Sequence, residues 1–429
     1  MSNNSTTPPI NKRSLIAGFS GNIMEWYDFT VYGFFATVIG TQFFPQEDKV
    51  AQLISTFGIF AAGYLMRPIG GIIFGHIGDR KGRKKALLIS ILMMAIPTTL
   101  IGFLPTHAEI GWYAALLLVL LRLLQGLSVG GEFTGSISFL TEMAPIGKRG
   151  FFGSWTTFGV FGGMLIGAGL SAIITTVFNP RQVQEFGWRI PFLFGSVIGI
   201  VGLILRKDMK NDEEQFIHKT AAKRGNKIPL ADFFAHYKMQ AFKIIMLSWA
   251  FGVSVYLIFI FLPSYLHTFL KIKLSDALSA HTLAIIFLMI LIPLFGHLSD
   301  KWGRKPVLFI SLTGFVLFSY PLFHLFFQRT FSAILAAMSV FALLEALFQA
   351  VIPAIMTEAF PTKIRYTGLS VSYNISLAVF GGTTPMVATW LIKVSGGNVW
   401  MPVYYLIGSA LIAIITLFFM PETYKKELD

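Results

Sequence analysis

The chain has 429 residues, with 34 Lys and Arg against 21 Asp and Glu and no cysteine. Only 13% of its residues are charged and 54% are apolar, giving a mean hydropathy of +0.67, whereas soluble domains carry about 25% charge. This composition excludes disulfides, zinc–thiolate centres and cysteine nucleophiles, and it points to an all-α protein that crosses a membrane repeatedly.

The polar opening MSNNSTTPPINKR leads directly into a full-length apolar segment with no small-residue cleavage site, so no cleavable signal is expected. Apolar segments follow at 14–42, 51–78, 86–104, 112–140, 151–178, 190–206, 241–269, 276–298, 306–327, 331–357, 367–393 and 401–420. Each is long enough, at about 1.5 Å per residue, to cross roughly 30 Å of hydrocarbon. The expected fold is therefore twelve transmembrane helices. The longest interruption is charged, contains Gly225 and Pro229, and divides the chain into an N-terminal half (1–206), a cytoplasmic linker (207–240) and a C-terminal half (241–429).

The net charge of +13 follows this topology. With the N-terminus placed in the cytoplasm, 25 Lys and Arg fall on that side, seven on the other, and two, Arg67 and Arg122, inside the membrane. This asymmetry is the positive-inside rule, and it orients both termini to the cytoplasm. The basic residues are topological signals, so no nucleic-acid partner is expected.

An internal repeat follows the second and eighth segments. Gly75-His76-Ile77-Gly78-Asp79-Arg80-Lys81-Gly82-Arg83-Lys84 returns as Gly296-His297-Leu298-Ser299-Asp300-Lys301-Trp302-Gly303-Arg304-Lys305, in a register of 221 residues. A second pair follows the fourth and tenth segments: Thr141-Glu142-Met143-Ala144-Pro145 with Arg149, and Thr357-Glu358-Ala359-Phe360-Pro361 with Arg365. Two duplicated six-helix halves suit a transporter whose site lies between them.

These motifs resemble those of the major facilitator superfamily. G-x-x-x-D-R-x-G-R-K matches its loop signature, and Leu118-x-x-x-Arg122-x-x-Gln125-Gly126 is close to its fourth-span signature, with Ser128 where glycine is usual. GNIMEWYDF at 21–29, Arg67-Pro68-Ile69-Gly70-Gly71 and Pro421-Glu422-Thr423 resemble the metabolite:proton symporter branch. The resemblance implies two pseudo-symmetric six-helix bundles that transport by alternating access, and it implies a bacterial inner membrane. It also implies that Asp79 faces the start of the eleventh span and Asp300 the start of the fifth. Physically, a carboxylate held by a neighbouring arginine can cap the positive end of a helix. The gating candidates are Asp79, Arg80, Arg83, Asp300, Arg304, Glu142, Arg149, Glu358 and Arg365.

Charges inside the membrane mark the candidate site, since an ionised acid in hydrocarbon needs a cation or a proton. At 100° per residue, Gly18, Gly21, Asn22, Glu25, Asp28 and Tyr32 share about a third of the first helix, so they face protein or water rather than lipid. Depth counting at about 1.5 Å per residue suggests the pairs Asp28 with Arg122 and Glu25 with Arg67. In the fourth span Arg122, Gln125, Glu132 and Ser136 are expected on one face. In the tenth, Glu345 has no intramembrane cation in its half and shares a face with Gln349.

The proton-coupling candidates are thus Asp28, Glu25, Glu132 and Glu345. The substrate-binding candidates are Arg122, Gln125, Tyr32, Tyr256 and Asn374, with Trp26, Tyr27, Trp155, Trp249 and Tyr373 as further pocket aromatics. His267 and His281 read as residues of the outer surface. Gly159, Gly163 and Gly167, at spacing four, read as a packing groove. Buried ion pairs that only hold helices in register are the structural alternative for the acids.

The expected function is proton-coupled symport of a small carboxylate-bearing metabolite. The alternatives are a proton-driven drug or metabolite antiporter and a zwitterion carrier of the proline or betaine type. Against the antiporter, Gly159-Val160-Phe161-Gly162-Gly163 lacks that branch's glycine-proline pair. Protons, membrane lipids and the small-molecule substrate are the expected partners, with the chain a monomer that needs no cofactor or metal and has no enzymatic activity.

Overall fold

The computed structural model describes residues 12–45, 48–81, 83–207, 230–362, 364–426 and 428. Helices make up almost all of this, with no strand among the described residues. Among the described residues nine helices are long and apolar enough to cross a membrane, or ten when Pro180–Gly187 and Arg189–Ile204, bent by 47°, count as one span. Lys12–Phe34, which carries Glu25 and Asp28, and the short apolar stretch Leu88–Phe103 complete twelve in the order expected from the sequence. The seventh span enters through the helix Leu230–Tyr256, which kinks at Tyr237.

Several spans are interrupted where polar chemistry is carried. The fourth consists of Trp112–Ser128 and Glu132–Glu142, parted at Val129-Gly130-Gly131. Carbonyls freed by such a break need partners inside a bilayer. Ser90 donates its hydroxyl to the Ser128 carbonyl at 2.7 Å, and the Asn374 amide donates to the Gly130 carbonyl at 2.6 Å. The break places Glu132 in the first turn of the second piece. The single continuous face expected for Arg122, Gln125, Glu132 and Ser136 is therefore divided. Matching single-turn π-helical segments interrupt the seventh span at Leu257–Phe261 and the eleventh at Leu377–Gly381, an irregularity common at functional sites.

Close helix crossings rest on glycine. A Cβ on Gly126 would overlap the Gly63 carbonyl, and one on Gly70 would overlap that of Leu127, so the second and fourth spans cross nearly backbone to backbone. Gly163 lies in the same way against Ile23 and Tyr27 of the first span, while Gly167 makes ordinary contact with Thr30. Without a hydrophobic drive in lipid, such crossings gain van der Waals contact that larger residues would prevent.

Candidate functional site

Arg122 is fully buried, and none of its three guanidinium nitrogens has a hydrogen-bond partner in the protein. Its charge lies over the Tyr32 ring, 3.7 Å from the centroid, and 5.8 Å from that of Phe29. A cation over an aromatic face is held by the ring quadrupole, and this leaves the planar donor fork of Arg122 unused.

Asp28 does not form the expected pair with Arg122. It accepts a hydrogen bond from Thr98 of the third span at 2.5 Å, and Thr98 in turn accepts one from Gln125 at 2.6 Å. Counting depth along helices placed the two charges at one level but could not fix their azimuths. Asp28 turns toward the third and sixth spans, lining a small space with Met94 and Gly195, while Arg122 lies under Tyr32. The sequence reading missed Thr98, whose only signal was a hydroxyl next to Pro97 inside a span.

The second expected pair is present. Arg67 and Glu25 meet at 3.0 Å, both buried. Arg67 also reaches across to the C-terminal half, where its Nε donates to the side-chain Oδ1 of Asn374 at 3.4 Å. Its guanidinium lies 5.3 Å from the Tyr64 ring and 6.0 Å from that of Tyr373. Asn374 is thus a contact between halves.

An aromatic chain links the two arginines and the two halves. Phe29 packs on Tyr64 at 4.4 Å, Tyr64 on Phe60 at 5.0 Å and on Tyr256 at 5.2 Å, and Tyr256 on Trp26 at 5.6 Å. All are essentially buried. The Trp26 indole N–H and the Tyr373 hydroxyl have no partner, and Tyr32 donates to the Thr56 carbonyl at 3.0 Å. Of the other aromatics named above, Tyr27 donates to the Pro191 carbonyl at 2.6 Å and Trp249 stacks on Phe380 at 4.3 Å, so both serve packing.

Glu345 is fully buried and accepts from the Gln349 amide at 2.6 Å, while its second oxygen has no hydrogen-bond partner. Glu132 is half-buried and lines a small space with Glu25, Ser90 and Ser128. Ser136 instead faces Asn22, which donates to it at 3.2 Å. His281 is not a surface residue: it is 1% exposed, with its ring between Phe34 at 5.1 Å and Phe259 at 5.5 Å. The eighth span turns it toward the first and seventh, a rotation that helix length alone does not give. His267 is exposed, as expected.

The motif-bearing ends of the halves are joined by reciprocal contacts between repeat-related residues. Glu142 pairs with Arg365 at 3.2 Å, and Glu358 pairs with Arg149 at 3.5 Å and with Arg304 at 3.1 Å. Asp300 accepts from the Gly150 and Phe151 amides at 2.8 and 2.9 Å, capping the fifth span, and is held by Arg304 at 2.8 Å. The Asp300 contact is the one the motif resemblance implied. The sequence reading missed Glu422, which accepts from the Arg304 and Lys305 amides at 3.0 and 2.9 Å, and Thr423, which donates to Glu358 at 2.5 Å. The side chains of Asp79, Arg80 and Arg83 lie outside the described residues.

Two family models match the chain: "Sugar (and other) transporter" over residues 14–207 and "Major Facilitator Superfamily" over residues 270–429. The chain is 36% identical over 425 residues to the glycine betaine/proline/ectoine/pipecolic acid transporter OusA of Dickeya dadantii, covering 97% of this chain and 84% of that protein. It is 35% identical to the proline/betaine transporter of Escherichia coli, covering 97% of this chain and 85% of that one. Its fold matches a crystal structure of a D-xylose–proton symporter with a TM-score of 0.75 at 19% identity, over 97% of this chain and 99% of that one. The chain is an integral membrane transporter, not an enzyme, and it belongs to the major facilitator superfamily.

Proposed function

We propose that the protein carries a small zwitterionic carboxylate, of the proline or betaine type, together with a proton, across a bacterial inner membrane with both its termini in the cytoplasm. The observation that carries this reading is Arg122, a buried guanidinium whose donors have no protein partner. Such a group carries a strong preference for a carboxylate, which it binds through two parallel hydrogen bonds. The aromatic chain from Phe29 to Trp26 supplies the complementary half, because electron-rich faces attract an amine or quaternary ammonium. The names of the related transporters from Dickeya dadantii and Escherichia coli fit this chemistry.

Coupling follows from the hydrogen bonds around Thr98. Its hydroxyl has one proton and two acceptors within reach, Asp28 at 2.5 Å and the Met94 carbonyl at 2.8 Å. An ionised Asp28 accepts a hydrogen bond from that hydroxyl, while a protonated Asp28 donates to Thr98 and turns the hydroxyl toward Met94. Either state is satisfied, so Asp28 can load and unload a proton with little rearrangement. Substrate at Arg122 cancels the positive charge that favours ionised Asp28, and thereby favours its protonated form. Binding of one then promotes binding of the other, and by linkage the effect is reciprocal.

In this reading the halves are 1–206 and 241–429, and they rock about the site when the cytoplasmic latch opens. Gln125 positions Thr98, Tyr32 holds Arg122, and Tyr256 and Asn374 carry the contact to the second half. The purified protein in liposomes should accumulate labelled glycine betaine or proline when the outside is made acidic, and acidify the interior as it does so. Accumulation that ignores the pH gradient would refute coupling. Failure of either compound to compete with the other would refute a shared zwitterion site.

A further inference from the structure

Two small half-open clefts are lined only by residues of the N-terminal half. One is lined by Glu25, Ser90, Ser128 and Glu132, and the other by Asp28, Ala95, Gly195 and Gly199. They share the same three lining residues, Met24, Ile91 and Met94. Each has room for about one water molecule. Arg122, Tyr32 and Tyr256 line neither.

We propose that these spaces form a proton conduit from Asp28 to the cytoplasm, running within the N-terminal bundle and separate from the path of the substrate. The proposal rests on the reading of Asp28 as proton carrier. Position along the helices supports the direction. The first and third spans rise from the cytoplasm and the fourth descends to it, so Ser90, Glu132 and Glu25 lie on the cytoplasmic side of Asp28. The break in the fourth span sets Glu132 at the head of its second piece, facing this space.

The chemistry needs only proton transfer. The Asp28 carboxyl gives its proton to a water in the upper space, a water in the lower space gives one to Glu132, and one net charge moves toward the cytoplasm. Glu132 heads the second piece of the fourth span and lines the lower space, so it is the acceptor. Met24 and Met94 form the constriction, and their unbranched thioether chains swing between rotamers more easily than branched ones. They admit a transient water file while excluding any organic solute. The halves can therefore stay latched over the substrate path at 142, 149, 300, 358 and 365 while the proton leaves through the bundle, which separates the two release steps in space.

The test uses full-length protein in liposomes with labelled glycine betaine and an internal pH dye. Met94→Phe and Ile91→Phe each fill the shared constriction. Each should slow proton-driven accumulation by about tenfold while exchange of labelled for unlabelled substrate stays within about twofold, because exchange needs rocking but no proton release. Met94→Leu should keep both rates. Met94→Ala, which widens the constriction, should raise proton leak without substrate, and it decides the matter should the phenylalanine variants not fold. Equal loss of exchange and accumulation, or no change in accumulation or leak, would overturn the conduit. Uphill accumulation that survives Asp28→Asn would instead overturn Asp28 as carrier, and the conduit with it.

Discussion

Thr141 and Thr357 donate and accept across the seam between the halves at 3.0 Å, and they are the same residue of the two repeats. The pseudo-two-fold axis therefore passes beside this hydrogen bond. Either side of it the adjoining acids reach the opposite half's arginine, Glu142 to Arg365 and Glu358 to Arg149. Duplication turns one motif into a self-complementary clasp, as in an isologous interface.

Glu358 is the hub of that clasp, serving Arg149, Arg304 and Thr423. Glu358→Gln removes the charge that two buried arginines share, and breaking a buried pair in this way costs roughly 3 kcal/mol or more. Cysteines placed at the cytoplasmic ends of the fifth and tenth spans should become much more reactive, and transport should slow. Unaltered labelling would show that the clasp does not hold the closed state. Asp300→Asn should act in the same direction, because its single amide oxygen can replace only one of the two carboxylate oxygens that accept from Gly150 and Phe151.

Arg122→Ala should lower uptake by roughly 100-fold or more, the scale of losing a buried charged partner. Arg122→Lys should restore only part of it, since an ammonium lacks the planar fork. Initial uptake rates against substrate concentration would decide this. Near-normal uptake by the alanine variant removes Arg122 from the site.

Asp28→Asn should abolish uphill accumulation yet leave exchange, whereas Glu25→Gln should impair both. Glu25 holds Arg67, which bridges to Asn374, so its loss strands a buried cation at the contact between halves. Paired assays of accumulation and exchange separate the two roles, and an identical profile for both variants would contradict it.

Gly126→Ala tests the packing. The added methyl would overlap the Gly63 carbonyl, which belongs to backbone and cannot swing aside. A cost of about 2 kcal/mol, within the range for overpacking, should appear as a lower melting temperature in detergent. Gly135→Ala, where a Cβ meets nothing within 4 Å, is the control and should melt like the parent.

On the outer side, Asp48 joins the halves through Lys393 at 2.8 Å and caps the second span through the Val50 and Ala51 amides. Lys393 and those amides hold its carboxyl below the usual range. A lowered pKa contributes stability above the unfolded value and loses it as pH falls through the folded one. The contact should therefore persist at neutral pH and weaken only under acid. Both side chains are exposed, so high salt should weaken it as well. Crosslinking of cysteines at 52 and 390 at neutral and acidic pH would report this, and a contact tighter in acid would reverse the sign.

Sequence alone determined the twelve spans and the duplicated clasp. Hydrocarbon thickness fixes helix length, lipid excludes unpaired charge, and a motif repeated in fixed register must serve both halves. It also gave Glu25 with Arg67 and Asp300 at the start of the fifth span. Rotation of each helix about its axis, and breaks within it, were decided only by tertiary packing. Counting residues gives depth but not azimuth, so Asp28 went to Thr98 instead of Arg122, and His281 went inside. Glycine crossings such as Gly163 on Ile23 and Gly296 on Gly150 favour particular azimuths, because backbones can approach this closely only where no side chain intervenes.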